Sequence, residues 1–287
     1  MKWKALRYVY PVVSRRSGGV SVGINLTPSK ICNAHCVYCD VDRAEIAPNE
    51  NLVDLDTLEL ELLFTLRQWR SGDLFKWDEF KNVPEAQRGL KDIAFSGNGE
   101  PTASPQFREI VALAASLRDA IAPRDTKLVL ITNGTCLDRP GVLGGLRRMQ
   151  QGAYAIWAKL DAGTPRYYRR VNRSAVPFKR ILDNIAKTSE KHPVTIQTLF
   201  LKLRGKGPAA EEIEAYCDRI NTLQRNGGRF AGLQLHTVAR PTAETWAEPL
   251  TDKELDTIAS RIKESTGLPQ QVVYRSTYQV PRQAVMA

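Results

Sequence analysis

The sequence has little of what a membrane or exported protein carries. No apolar run in its 287 residues approaches the length of a membrane span, and the opening stretch MKWKALRYVYPVVSRR lacks the continuous apolar core of a signal peptide. Those two absences predict a cytoplasmic protein with no membrane partner. Cysteine is scarce: there are five, an odd number, and three of them are crowded together. Such a set in a cytoplasmic chain argues against a disulfide framework and for metal or redox chemistry. Acidic residues are in deficit, 31 Asp and Glu against 41 Lys and Arg, and the net charge of +10 favours an anionic partner. No internal repeat and no low-complexity tract is visible.

What is present reads as an ordinary enzyme-sized α/β chain, with 43% hydrophobic and 25% charged residues. Strand-like runs alternate with amphipathic helical runs: VGINLT, KDIAFSG, KLVLITNG, YAIWAKLDAG, VTIQTLFLK and RFAGLQLHTV are each followed by a helical stretch. That order predicts parallel strands joined by crossover helices, as an open doubly wound sheet or a partial barrel. The strand faces favour the barrel. In YAIWAKLDAG, Trp157, Lys159 and Asp161 fall opposite Tyr154, Ile156, Ala158 and Leu160, and Gln234 and His236 fall opposite Leu233 and Leu235. Strands buried on both faces would be apolar throughout, so a polar face suggests a wet lumen, the alternative being polar side chains satisfied within a packed core. The expected fold is a partial (β/α)6 TIM-like barrel over residues 21–245, preceded by an N-terminal arm over 1–20 and followed by a C-terminal helix and extension over 246–287.

Local signals mark some helix ends. Asp56 with Glu59 reads as a capping box ahead of Leu58, Leu62, Leu63 and Leu66, and Thr251 with Glu254 repeats the pattern before a helix that Gly267 and Pro269 end. The irregular insert at residues 71–89 links a helix to a strand, which places it away from the barrel mouth.

The three crowded cysteines are Cys32, Cys36 and Cys39, in KICNAHCVYCD. A structural zinc site takes four protein ligands, and His35, beside Cys36, is poorly placed to complete a tetrahedron. Three thiolates on a four-iron cluster would leave one iron open to a small molecule. The spacing C-x3-C-x2-C, with Tyr38 before the last cysteine, resembles the signature of the radical S-adenosylmethionine (SAM) enzymes. The context is similar as well. The triplet follows a strand, the next strand runs into FSGNGEPTASP, and the one after ends in ITNGT, in the order of that superfamily's cofactor loops.

The resemblance implies a 4Fe-4S cluster on Cys32, Cys36 and Cys39, with S-adenosyl-L-methionine chelating the open iron. It also implies cofactor contacts from Tyr38, Gly97, Asn98, Gly99, Glu100, Thr132 and Asn133, reductive cleavage of SAM to a 5′-deoxyadenosyl radical, and a reductant such as flavodoxin or ferredoxin. A narrower resemblance, carried by YVYPVVSRR, SGNGEPT, KLDAGTP and HTVARPTAE, is to the wyosine-tRNA synthetase-like branch, which builds a tricyclic base in transfer RNA using pyruvate. The chain departs from it in having no cysteine in residues 1–31, where that branch carries its second-cluster ligands.

Basic residues gather on the strand-to-helix loops, the face where barrel sites are built. Arg166, Arg169, Arg170 and Arg173 interleave with Tyr167 and Tyr168, and Lys202, Arg204, Lys206 and Arg240 lie on later loops. They suggest binding of RNA or another phosphate-bearing molecule, unless they are simply a solvated helix face over packed tyrosines. Lys159, Asp161 and His236 are candidate catalytic groups in the lumen, the lysine suited to holding a carboxylate or forming a Schiff base, the alternative being a structural Lys–Asp pair and a satisfied barrel histidine. Cys136 and Cys217 read as ordinary thiols. The segment Ser14 to Arg16 is expected near the mouth. Rival readings are an activase that places a radical on a partner protein and a non-catalytic iron–sulfur RNA-binding protein.

Overall fold

The protein's structure, a computed structural model, describes residues 6–43, 52–242 and 244–275. The outer parts of the expected arm and extension (1–5 and 276–287) and residue 243 of HTVARPTAE lie outside the described residues.

All six expected strands form, as β2 (Gly19–Ile24), β3 (Leu90–Phe95), β4 (Lys127–Thr132), β5 (Tyr154–Lys159), β6 (Val194–Leu203) and β7 (Phe230–Thr237). They pair in parallel and in sequence order. The intervening helices α1 (Leu55–Ser71), α2 (Phe107–Ile121), α3 (Pro140–Met149), α4 (Pro165–Val171), α5 (Phe178–Lys191) and α6 (Ala210–Arg225) are the crossovers that parallel pairing needs. The result is the half-barrel of an α/β TIM-like fold.

Three further strands were not legible in the sequence. β1 (Val9–Ser14) runs antiparallel to β2 at one sheet edge, β8 (Ala247–Pro249) pairs antiparallel with β6, and β9 (Gln270–Val273) adds in parallel to β7. A last helix, α7 (Asp252–Thr266), leads into β9. Glu61 anchors β1 to α1 by accepting hydrogen bonds from the backbone N–H groups of Arg7, Tyr8 and Val9. The two sheet edges touch where the β1–β2 turn reaches β9 and the residue after it. There Gln271 Nε2 donates to the carbonyl of Arg16 (3.1 Å), and Arg15 Nη1 donates to the carbonyl of Tyr274 (3.0 Å).

The strand faces divide as their alternation predicts. Ile156, Ala158 and Leu160 of the β5 region join the main core beneath the helices, whereas Trp157 belongs to a separate small cluster with Ala94 and Val129 on the inner face. Inner polar groups are partly paired: Gln197 Nε2 donates to Gln234 Oε1, and Gln234 Nε2 to Gln271 Oε1. The lumen is therefore neither fully wet nor a dry core.

Two local expectations are revised. The cap of α1 is Asp54, whose carboxylate accepts from Thr57 N; Asp56 instead lies inside the first turn, where its charge suits the helix dipole. The turn holding Arg15 and Arg16 lies at the N-terminal end of β2, away from the mouth, because residues 9–14 form a strand antiparallel to it. The capping box at Thr251 and Glu254 and the left-handed Gly267 stop both occur as expected. Within residues 71–89, Asp73–Lys76 and Glu85–Gln87 form short 3-10 turns, and Leu74, Phe80 and Val83 are buried.

Candidate active site

The loop that leaves β2 carries Cys32, Cys36 and Cys39, all half-buried free thiols. Backbone bonds from His35 N to Asn172 O (3.1 Å) and from Val37 N to Val171 O (2.9 Å) seat it on the end of α4. Ser174 Oγ donates to the Asn33 carbonyl, and Arg240 pairs with Asp40 at 2.9 Å. The loop is thus held from two sides of the mouth.

Donors surround the sulfurs. Asn172 Nδ2 lies 3.6 Å from Cys36 Sγ, and Arg43 Nη2 lies 3.4 Å from Cys39 Sγ. Burial pushes the Cys32 thiol up, and burial together with the Asp161 charge pushes Cys36 up to about 12. Neutral thiols are poor ligands; the positive charge of a bound metal centre reverses this preference, and hydrogen bonds to the sulfurs then tune it. Among the described residues, no group of three His, Cys, Asp or Glu side chains converges on one point as a single ion requires. A four-iron cluster takes each thiolate on a different iron, so its ligands stand around it. The donor set fits such a cluster.

Beside this loop, the β3 and β4 loops form a braced shelf. Glu100 is buried, and its Oε1 accepts from Thr102 N, Thr102 Oγ1 and Thr132 Oγ1 while its Oε2 accepts from Asn133 N. The carboxylate is mostly committed to protein donors, and Oε2 keeps one lone pair for another. Asn133 Nδ2 donates to Asn33 Oδ1 (2.8 Å), and Asn33 Nδ2 donates to Thr135 Oγ1 (2.7 Å), tying the shelf to the cysteine loop. Asn25 Oδ1 accepts from both Thr27 N and Asn98 N, each at 3.1 Å. Gly97 sits at φ 141°, and a Cβ on Gly99 would come within 2.5 Å of the Ile31 carbonyl, so backbone meets backbone here.

Below the cysteines, Asp161 is fully buried and heavily bonded. Its Oδ2 accepts from Tyr38 OH and Asn172 Nδ2, its Oδ1 accepts from Leu199 N, and Lys159 Nζ lies 3.6 Å from Oδ1. The same ammonium is 4.8 Å from the centre of the Tyr38 ring. Lys159 and Asp161 line a pocket with Ala34, Asn133, Tyr168 and Asn172. His236 lies on β7 opposite Leu199 of β6; its pKa is held well below the usual imidazole value by burial first and then by Lys159 and Arg16. Asn33 and Asn172 had no signal in the sequence, since a lone asparagine in a loop is ordinary.

The basic residues are split. Arg169, Arg170, Arg173 and Arg204 line an open groove with Leu203 and Trp246 beside the mouth. The guanidinium carbons of Arg173 and Arg204 lie 5.3 and 5.4 Å from the centre of the Trp246 ring. Tyr167 and Tyr168 are not stacking platforms but are buried below, the packed alternative that the sequence left open, because α4 turns them toward the core. Arg166 is exposed and does not line this groove, Lys202 pairs with Glu254 at 2.9 Å, and Arg240 is tied to the cysteine loop.

This geometry can be set beside known proteins. The "UPF0026 protein" of Helicobacter pylori strain J99 is 26% identical over 252 residues, covering 85% of this chain and 70% of the relative. TYW1 with a lysine–pyruvate adduct bound superposes with a TM-score of 0.55 at 16% identity, over 92% of this chain and 78% of that one. Streptococcus suis SuiB bound to the precursor peptide SuiA gives a TM-score of 0.58 at 14% identity, over 90% of this chain and 49% of that one. At these identities the two structures speak for the fold alone. The family model of the Radical SAM superfamily matches residues 26–224, which takes in the cysteine loop, the braced shelf and Asp161. The chain belongs to the Radical SAM superfamily and is an enzyme of that kind.

Proposed function

We propose that this enzyme uses Cys32, Cys36 and Cys39 to hold a 4Fe-4S cluster, binds SAM on the shelf formed by residues 96–100 and 132–133, and acts on a phosphate-bearing substrate, RNA being the leading candidate. When bound, the cluster and SAM supply an organic radical able to take a hydrogen atom. The chain's own residues do the rest. The backbone around Gly97 to Gly99 and the spare lone pair of Glu100 receive the ammonium of SAM, Tyr38 and Asn172 fix the loop through Asp161, and Lys159 faces the substrate. An electron donor of the flavodoxin or ferredoxin kind belongs to the same reading.

The observation that carries the substrate class is the groove of four arginines around Trp246. Guanidinium forks match phosphate oxygens, and the half-buried Trp246 indole holds two of them at the groove. Arg173 adjoins Asn172, so the groove borders the site. Membership of a wyosine-like branch reduced to one cluster belongs to the same reading. The test has two stages. Anaerobic reconstitution and reduction should yield 5′-deoxyadenosine and methionine from SAM, and Cys36→Ala should abolish both. Arg169→Ala with Arg170→Ala should then weaken RNA binding at least tenfold with SAM cleavage retained; equal loss of both would overturn the assignment of the groove.

A further inference from the structure

Several cations around the mouth meet carboxylates: Lys159 faces Asp161, Arg173 pairs with Glu244, Arg240 with Asp40 and Lys202 with Glu254. Arg169, Arg170 and Arg204 make no such pair among the described residues, but all three are exposed in the groove. Arg43 is a different case. It is half-buried, it too has no carboxylate partner among the described residues, and its guanidinium is turned onto the cysteine loop itself. Nη1 donates to the carbonyl of Lys30, the left-handed residue (φ 61°) that opens the loop, and Nη2 lies 3.4 Å from Cys39 Sγ near its close. At Cys32 burial raises the thiol, and a backbone hydrogen bond at Ala34 and then the Arg43 charge oppose it, so the same cation is felt at a second sulfur.

The donor at Cys36 is of another kind. Asn172 Nδ2 is a neutral amide, shared with the Asp161 carboxylate that Lys159 already faces. Only the Cys39 side of the loop therefore has a positive charge in hydrogen-bond contact with a sulfur. Reduction of a cluster held by three thiolates adds one electron to a centre that is already anionic. A fixed cation beside a ligand sulfur favours the reduced form, and an N–H···S hydrogen bond acts in the same sense. We infer that Arg43 is a positioning residue for the reducible centre: it clasps the two ends of the cysteine loop and, through its charge at Cys39, makes the cluster easier to reduce by a low-potential one-electron donor. The inference rests on the reading that Cys32, Cys36 and Cys39 hold a 4Fe-4S cluster. It also accounts for a guanidinium rather than an ammonium, since a fork serves the carbonyl and the sulfur together.

The test reads a potential rather than turnover. The full-length protein is reconstituted anaerobically and titrated without SAM, the electron paramagnetic resonance signal of the reduced cluster being followed against the potential set by dithionite and redox dyes. Arg43→Gln should make the reduction equilibrium at least tenfold less favourable, a midpoint about 59 mV lower for one electron. Arg43→Lys keeps the charge and loses the fork, and should stay within about threefold of wild type. Arg147→Gln, on the exposed side of α3, removes the same charge elsewhere and should titrate like wild type. A wild-type midpoint in Arg43→Gln, a fall in Arg43→Lys as large as in Arg43→Gln, or an equal fall in Arg147→Gln would overturn the assignment. Where Arg43→Gln loads too little cluster to titrate, Arg43→Lys decides: a midpoint near wild type upholds the role of the charge, and a tenfold loss overturns it. A wild-type chain that takes up no four-iron cluster would overturn the reading of the cysteines and this inference with it, whereas equal midpoints in loaded wild type and loaded Arg43→Gln overturn the inference alone.

Discussion

A single amide nitrogen of Asn172 is shared between Asp161 and Cys36, 2.7 Å from the carboxylate and 3.6 Å from the sulfur. It joins the end of α4 to both the lumen acid and the cysteine loop. Asn172→Ala should cost about 1–2 kcal/mol in chemical denaturation, since a buried charge loses a donor. The same variant should retain less iron after reconstitution. Unchanged iron content would mean that the sulfur contact is incidental.

Gly99 should tolerate no side chain. An alanine Cβ would sit 2.5 Å from the Ile31 carbonyl and 2.8 Å from Thr27, forcing the cysteine loop away from the shelf. Gly99→Ala is expected to lower iron loading and abolish SAM binding in equilibrium dialysis, with the fold retained by circular dichroism. Wild-type SAM affinity would show that the two loops do not meet as described.

Gly163 is a matter of folding rather than chemistry. A Cβ there would come within 2.1 Å of Tyr216 N and 2.5 Å of the Ala215 carbonyl carbon, so α6 itself would have to move. Gly163→Ala is predicted to lose about 3 kcal/mol or more, or to yield insoluble protein. The check is urea denaturation of the soluble fraction.

The acid limb of stability should report on Glu254. Its carboxylate, capping α7 through Thr251 and paired with Lys202, is held down at about 2. A depressed carboxylate contributes stability that is complete above its unfolded value, about 4.3, and is lost as pH falls toward the folded one. Glu254→Gln should therefore lower the urea midpoint at pH 7 and leave it nearly unchanged at pH 2. An equal loss at both values would mean that the charge does not matter.

Much of this was legible in the chain. Alternating apolar residues placed all six parallel strands, because each must bury one face under helices while the other lines the lumen. The cysteine spacing, followed in order by the glycine-rich and ITNGT loops, marked the site. The rest depends on contacts that spacing does not encode. Asn33 meets Asn133 100 residues away and Asn172 meets Cys36 136 residues away, contacts that no local pattern announces. Tyr167 and Tyr168 looked like companions of the arginines, but in a helix successive residues point about 100° apart, and these two face inward. Trp246 serves the groove from 73 residues beyond Arg173. Arg16 looked like part of a terminal arm because β1 is short and its pairing is antiparallel.

The seam between Arg16 and Gln271 joins residues 255 apart in sequence, and the one between Arg15 and Tyr274 joins residues 259 apart. Such contacts are the slowest to find during folding, since nearly the whole chain must close into one loop before they form. On the ribosome, the half-barrel from β2 to β6 can assemble early, while the far end of the lumen stays open until β9 has emerged. The seam therefore cannot close until β9 has emerged, so the two sheet edges meet late in synthesis.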